Sequence, residues 1–534
     1  MDMKPEIILK RYAWSAKDDR YITGTGIARG KMIDKEDLWE FLSDHVENFS
    51  RFLGFCMTTG GQLSIVVQKD NETWLYAGHT WSYPLFCTVT SSIRIVSDIP
   101  EAIYESGLQT EPDQAAETYF RAFGVTPGGR TLDKSIRQVR PGEILQIDHS
   151  TGRIKSWLQD MPQPGERDKD PGELAALIRD RFAIYAAHIG DRQVLLPLTA
   201  GYDSRLLACL LKESGKGKVV CATWGRTGNP DGITAEKISK TLGYKHIFVP
   251  LDDQETKTFT QQEDFSAYAE YAGHFSSMPY LQDFFAVRHL LRKGLIDRET
   301  VVLPGHPGDY IRGSHLYPGL LSETPEASAR TIIQKFGSTL PFRKKEKQMV
   351  TGTILREIFQ TSDSCQQNFD RWDQEERQCK FIGNSSLVYT RAGLSHLMPL
   401  FDKEITGYML SLPFRQRLHA RLYNHTLETH FFSKHGVDHD LKKINPAYPG
   451  TSSVKSLLIS HTPRFLKKWY YPMEDPVGYH EYTSTLRKSF PGMNFTDPER
   501  PNAYNAYLIQ WYIQWIRQRY PSAIQNPLPG RKMY

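Results

Sequence analysis

Residues 195–211, LLPLTAGYDSRLLACLL, decide the fold. Leu195 to Leu198 is a short apolar run of the kind a buried strand needs, and Arg205 to Lys212 reads as a helix. Between them Thr199-Ala200-Gly201-Tyr202-Asp203-Ser204 reads as a tight turn of small and hydroxyl residues around one carboxylate. A helix N-terminus offers unpaired N–H groups and a partial positive charge, which suit phosphate. Small residues let the backbone approach an anion, and Thr199 and Ser204 add hydroxyl donors. A carboxylate beside an anion site is unfavourable unless a divalent cation lies between them, so Asp203 points to Mg²⁺. The plainer reading is that Asp203 and Ser204 cap the helix. On this stretch alone the two readings stand level.

Working outward, strands and helices alternate. VLLPL (194–198), VVCATW (219–224), HIFVPL (246–251) and VVLPG (301–305) read as strands. Helices are expected over 171–187, from near Ser204, from near Thr234 and over about 280–293, with Gly215 and Gly243 at C-terminal caps. This alternation implies a parallel sheet covered on both faces, with ligands beyond the carboxyl ends of its strands. Past about residue 320 the chain reads as mostly helical, and AYNAYLIQWYIQWIRQRY (503–520) as a packed terminal helix rather than a membrane-surface one. Residues 1–157 read differently, as strand-rich: LSIVVQKDNETWLYAG (63–78) predicts a hairpin about Asp70-Asn71, and SSIRIVSD and PGEILQID predict further strands. QDMPQPGERDKDPGE (159–173), dense in Pro, Gly and charge, reads as the linker.

Composition narrows the class. The 534 residues exceed one core, and 66 basic against 61 acidic side chains give +5, too mild for a nucleic-acid coat. The six cysteines (56, 87, 209, 221, 365 and 379) show neither CxxC nor metal spacing and read as reduced thiols. No run approaches the roughly 18 apolar residues of a spanning helix. A cytoplasmic protein with no nucleic-acid and no membrane partner is expected. The basic run PFRKKEKQM (341–349) reads as a solvated helix end or loop, and HTPRFLKKWYY (461–471) as surface packing. The 17 His show no HxxxH or HExxH pattern, so no zinc site is expected.

The loop TAGYDS resembles the pyrophosphate loop SGGxDS of the N-type ATP pyrophosphatases, with Thr199 and Ala200 as the departures. Residues 219–251 resemble the next unit of asparagine synthetase-like proteins, which puts Thr223, Trp224 and Gly225 at the nucleotide. VVLPGHPGDYIRGSHL (301–316) resembles the family's vvLSGeGaDElfgGy, sharing Gly305, Gly308, Asp309 and Gly313. MPLFDKEITGYMLSLP (398–413) resembles its PFLD segment at Pro399, Asp402 and Pro413. LYAGHTWSYPLF (75–86) and TPGGRTLDKSIRQVRPGEILQID (126–148) resemble segments of its glutaminase half.

The resemblance implies an N-terminal Ntn-hydrolase-like, β-rich, glutamine amidotransferase-like domain (1–158) and a linker (159–172). It implies next an adenine nucleotide alpha-hydrolase-like synthetase domain with a helical C-terminal region (173–534). It implies ATP and Mg²⁺, with Leu198, Thr199, Ala200, Gly201, Tyr202, Ser204, Arg205, Thr223, Trp224, Gly225 and Gly305 on the nucleotide. Asp203 and Asp309 would hold the metal, and with His306 would form the catalytic set. Arg205 reads equally as a phosphate or carboxylate contact and as a solvated helix residue.

Departures qualify the implied chemistry. Residue 2 is Asp2, not the family's nucleophilic Cys, and its Arg-Asp pair is Gly78-His79, so glutamine hydrolysis is not expected. In GHPGDY, His306 and Tyr310 stand where the family has acidic residues; His306 reads equally as a base and as a packing residue. The family's phosphate-contacting Lys has candidates in Arg415, Arg417, Arg421 and Lys443.

The resemblance thus implies an amide-forming ligase that makes an acyl-adenylate and uses ammonia or a substrate amine. The alternative is a nucleotide-binding pseudoenzyme on the same scaffold. A tRNA-thiolating ATP pyrophosphatase shares only the loop. The carboxylate substrate, the amine donor and the oligomeric state, a homodimer included, are not fixed by the sequence.

Overall fold

In the computed structural model, residues 3–108, 111–251, 254–281, 283–337, 340–439, 478, 483–497 and 505–520 are described. The chain opens with strands β1 (Glu6–Ile8), β2 (Ser15–Lys17), β3 (Arg20–Ala28), β4 (Lys31–Asp34), β5 (Gly60–Gln68) and β6 (Glu72–Ala77). They are followed by β7 (Phe86–Val89), β8 (Arg94–Ser97), β9 (Arg137–Gln138), β10 (Ile144–Asp148) and β11 (Ile154–Trp157). One antiparallel sheet runs β11-β10-β6-β5-β3-β2, with β4 also on β3; a smaller sheet runs β1-β8-β7-β9. The hairpin about Asp70-Asn71 is β5 and β6, with Gln68 opposite Thr73.

Period-two alternation splits β5 and β6 between two cores. Val66 and Leu75 face the smaller sheet, sharing a core with Cys87 and Val96. Ile65, Val67, Trp74 and Tyr76 face the helices Leu38–Ser43 and Phe49–Thr58.

After the extended segment at 158–170, Asp170 caps the helix Pro171–Ile189 through the amide of Gly172. A five-stranded sheet follows: β12 (Val194–Pro197), β13 (Val219–Gly225), β14 (Lys245–Pro250), β15 (Val301–Val302) and β16 (Ser395–His396). Its order is β14-β13-β12-β15-β16 and every pairing is parallel. The apolar runs are unbroken because both faces are buried: Val194 and Leu196 enter one core, Leu195 the other. The chain therefore mixes α and β, with several sheets, one of them parallel.

The strand order reverses between β12 and β15, where a crevice opens at the carboxyl ends. The segments leaving that crevice are the two that the sequence singles out, Thr199–Ser204 and Pro304–Asp309.

Three boundaries differ from expectation. The helix after β12 starts at Tyr202, because Gly201 is its extended N-cap, so Asp203 and Ser204 lie inside its first turn. The helix after β13 starts at Pro230 rather than near Thr234, because Asn229 caps it through the amide of Gly232 and proline suits the first turn. Strand β15 stops at Val302, and Leu303–Gly305 continue as a connecting loop.

Beyond residue 320 the described chain is mostly helical. The helix Cys365–Trp372 runs on into a π-helix, Asp373–Ile382. This rod is largely buried although it is densely charged, and most of its charges are paired. Arg140 donates Nε and Nη2 to Glu375 at 2.9 and 2.7 Å. Lys380 Nζ donates to Glu376 at 2.8 Å and to the Gly128 carbonyl at 2.7 Å. Arg140 and Gly128 come from the β-rich half, so the rod ties the two halves together.

Asp402 braces the second half from within. It caps the helix Lys403–Leu410 and receives Arg181 Nε and Nη2 at 2.9 Å each. The terminal helix Ala506–Arg519 packs inward through Leu508, Trp511, Tyr512 and Ile516. Residues 344–349 of the basic run begin the helix Lys344–Glu357. Residues 461–471 and Lys443 lie outside the described residues. All six cysteines are unpaired, five of them buried. No described helix is long and apolar enough to cross a membrane.

Candidate active site

A cavity of about 240 Å³ fills the crevice between β12 and β15. Thr199, Gly201, Asp203 and Ser204 line it from the first loop, Trp224 from the end of β13, and Gly305, His306, Gly308 and Asp309 from the second loop. The rest of the wall includes Asp283, His315, Arg377, Gln378, Ile382 and Tyr389.

Close approach of the two loops depends on two glycines. A Cβ on Gly308 would stand 1.9 Å from Asp203 Cγ, and one on Gly305 would stand 3.2 Å from the Ser204 amide nitrogen. Gly308→Ala should therefore destabilise the fold by about 2 kcal/mol. On an Asp203→Ala background, where the obstructing carboxyl is gone, the same change should cost almost nothing. Thermal unfolding of the four proteins checks this; equal costs on both backgrounds would mean that the loops do not meet this way.

The electrostatics concentrate on two carboxylates. Asp203 is not the helix cap, since Gly201 is, and no side chain caps this end. Its Oδ1 accepts the Tyr423 hydroxyl at 3.0 Å. Burial pushes the Asp203 carboxyl up to about 6, against the pull of Arg312 and with the added repulsion of Asp309. Asp309 stands at the lip with its side chain 52 % exposed, and Arg312 Nη2 donates to its Oδ1 at 2.5 Å. Burial raises Asp309, but Arg312, His315, Ser314 and Arg377 outweigh it and hold the carboxyl below its ordinary range. Burial drops His306 to about 4, so its imidazole is neutral at neutral pH.

This donor set fits Mg²⁺ in one particular way. Among the described residues no three His, Cys, Asp or Glu side chains converge as a cage. Two carboxylates on one cavity wall match the habit of Mg²⁺, which keeps several waters and binds through one or two carboxylates plus substrate phosphates.

Residues 181–428 match the asparagine synthase family. The chain carries a domain of that family. No curated protein matches the sequence. Solved structures align only distantly. An NMN synthetase from Francisella tularensis is 11 % identical over 42 % of this chain and 95 % of its own, with a TM-score of 0.20. A glutamine-dependent NAD⁺ synthetase from Acinetobacter baumannii, in complex with ADP, is 13 % identical over 41 % of this chain and 43 % of its own, with a TM-score of 0.20. A U34-tRNA thiolase from Methanococcus maripaludis is 11 % identical over 41 % of this chain and 79 % of its own, with a TM-score of 0.17. At these scores none bears on the chemistry of the asparagine synthase domain.

Within that domain the expected site residues divide. Thr199, Gly201, Asp203, Ser204, Trp224, Gly305, His306 and Asp309 meet in one cavity. Leu198, Ala200, Tyr202, Arg205, Thr223 and Gly225 lie outside its lining. Thr223, Tyr202 and Arg205 brace the loop instead. Thr223 Oγ1 donates to the Leu198 carbonyl at 2.6 Å, and Tyr202 Oη donates to Glu428 at 2.5 Å. Arg205 is neither a solvated residue nor part of the wall. It is fully buried, donating to the carbonyls of Ala200 at 2.8 Å, Val437 at 2.7 Å and His439 at 3.1 Å.

Two of the basic residues near the 413 turn are equally committed elsewhere. Arg417 pairs with Asp370, and Arg415 lies at the surface with Asp168 and the Glu166 carbonyl. The arginine that does line the cavity is Arg377, on the π-helix. It is half-buried over the Phe336 ring, and its Nε has no hydrogen-bond partner among the described residues. Nothing in the sequence marks it except the mixed charge of its helix.

Proposed function

We propose that the chain is an ATP-dependent, AMP-forming amide ligase of the asparagine synthase type. The observation that carries this reading is one cavity, at the sheet's reversal point, holding the phosphate-type loop and both Asp203 and Asp309. Amide groups of Gly201 to Ser204 and the hydroxyls of Thr199 and Ser204 receive the β- and γ-phosphates, and Trp224 flanks the base. Asp203 and Asp309 would hold Mg²⁺, which when bound neutralises charge on the departing pyrophosphate. Arg377, which lines the same cavity, is the side chain that meets the same charge from the π-helix.

A substrate carboxylate attacks the α-phosphorus and forms an acyl-adenylate, and an amine then displaces AMP. Residues 1–158 serve as a glutaminase-like scaffold beside the synthetase domain. A linker at 159–172 joins them to the synthetase domain, and free ammonia or a substrate amine is the nucleophile. His306, neutral at neutral pH and a weak base, orients groups by hydrogen bonding rather than by carrying a proton.

The test separates AMP plus pyrophosphate from ADP plus phosphate, with Mg²⁺, across carboxylates and amines. AMP and pyrophosphate should form with the cognate pair, and Arg377→Gln should lower kcat about 100-fold with a smaller effect on KM for ATP. Absence of ATP binding by calorimetry, or ADP as the product, would leave a scaffold or a different ATPase in its place.

A further inference from the structure

The proposed chemistry leaves one carboxylate of the cavity without a task. Asp283 stands at the N-terminal cap position of the helix Phe284–Arg292, where an aspartate ordinarily bonds a backbone amide, but its side chain makes no cap hydrogen bond. It lines the cavity instead and is only 7 % exposed. Tyr389 Oη donates to its Oδ2 at 2.6 Å. No cation lies within ion-pair distance of Asp283 among the described residues. A buried carboxylate with one phenol and no counter-charge is half-satisfied, and its second oxygen needs a donor.

The cavity already accounts for its anions through the first loop and Arg377. What it lacks is a seat for the nucleophile. The turn at 305–310 carries His306, which burial makes a poor base. We infer that Asp283, oriented by Tyr389, is the catalytic carboxylate that receives the attacking amine as its ammonium and takes its proton. This rests on the ligase reading above.

The step balances. The ammonium gives one proton to Asp283, leaving a neutral carboxylic acid and a free amine. The nitrogen lone pair forms the C–N bond, the bond from carbon to the adenylate oxygen breaks, and AMP leaves with that electron pair. The second N–H proton passes to water at the cavity mouth. Burial holds the Asp283 carboxyl at about 6, offset by the Tyr389 hydrogen bond, so it is ionised at neutral pH and more basic than an exposed aspartate. The titratable and charged groups around it are Tyr268, Tyr280 and Tyr389 on its own side, with Arg377 on the π-helix. His306, His315, Asp203 and Asp309 line the same cavity.

The experiment uses the full chain with Mg²⁺, α,β-methylene-ATP and methylammonium chloride as the probe. Infrared difference spectra between wild type and Asp283→Asn isolate this carboxyl, whose protonation is followed against pH. Methylammonium should lower its midpoint by about one unit relative to sodium chloride at equal ionic strength. Tetramethylammonium, which has no N–H, should not. In calorimetry Asp283→Asn should weaken methylammonium binding at least tenfold and leave the nucleotide analogue within twofold.

If the Asn variant does not fold, the wild type minus Tyr389→Phe difference reports the same carboxyl. That variant should raise the midpoint yet keep the methylammonium shift. An unchanged midpoint in methylammonium overturns the inference while analogue binding stands. Loss of analogue binding in the wild type overturns the ligase reading, and the base role with it.

Discussion

Asp203→Asn is expected to abolish AMP and pyrophosphate formation and, in the same protein, to raise stability at pH 7. The activity loss should be at least ~10³-fold, because the variant removes one of two carboxylates facing the departing charge. The stability gain follows from the carboxyl's position. Burial raises it to about 6 in the fold, against about 3.9 in an unfolded chain. A raised value means that the folded state prefers the protonated form. The contribution to stability is therefore complete below about pH 4 and is lost as pH rises through about 6.

At pH 7 the wild type holds an ionised group that the fold disfavours by roughly 3 kcal/mol, and asparagine removes that cost while keeping the Tyr423 contact in shape. Denaturant unfolding of both proteins at pH 4 and pH 7 is the check. The Asn variant's advantage should be near zero at the lower pH and up to ~3 kcal/mol at the higher. An advantage that does not change with pH would remove burial as the source of the shift. Unimpaired AMP formation would remove Asp203 from the chemistry.

How much of this was legible in the residues depends on the kind of contact. Leu195–Leu198 and Val219–Trp224 declared themselves because a strand buried on both faces must be apolar throughout. The loops Thr199–Ser204 and Gly305–Asp309 were legible because small residues at strand ends do little else. Their convergence followed from the strand order. The start of the helix at Tyr202 was misplaced because a run of small residues looks like a turn, whereas an extended Gly201 suffices to begin a helix with a tyrosine at its first position.

Arg205 misled for a different reason. It follows the loop directly, but Val437 and His439 fold back to bury it, and no local pattern encodes a contact so far along the chain. Asp283 and Arg377 were invisible for the same cause. Each sits on a helix with no motif and reaches the cavity only through tertiary packing. Asp283 in particular occupies the position at which an aspartate is routinely read as a cap.

The same reasoning, applied to the charged rod at 365–382, gives the largest structural effect. Arg417 Nη1 and Nη2 donate to the two oxygens of Asp370, both at 2.7 Å, with the side chains 0 % and 5 % exposed. Burial raises the Asp370 carboxyl and Arg417 pulls it back, so the pair holds its charge only as a pair. Asp370→Ala leaves a guanidinium buried without a counter-charge and should cost ~3–5 kcal/mol. Asp370→Leu combined with Arg417→Met removes both charges at similar volume and should recover most of that loss.

The consequence reaches the cavity. The helix that carries Asp370 continues directly into the π-helix that carries Arg377, so the Ala variant should also weaken binding of α,β-methylene-ATP, and the double variant should restore it. Urea unfolding and calorimetry on the four proteins decide the matter. A single-variant cost below ~1 kcal/mol would show that water reaches Arg417. A double variant as unstable as the sum of its parts would show that the rod needs the charges themselves, not merely their mutual cancellation.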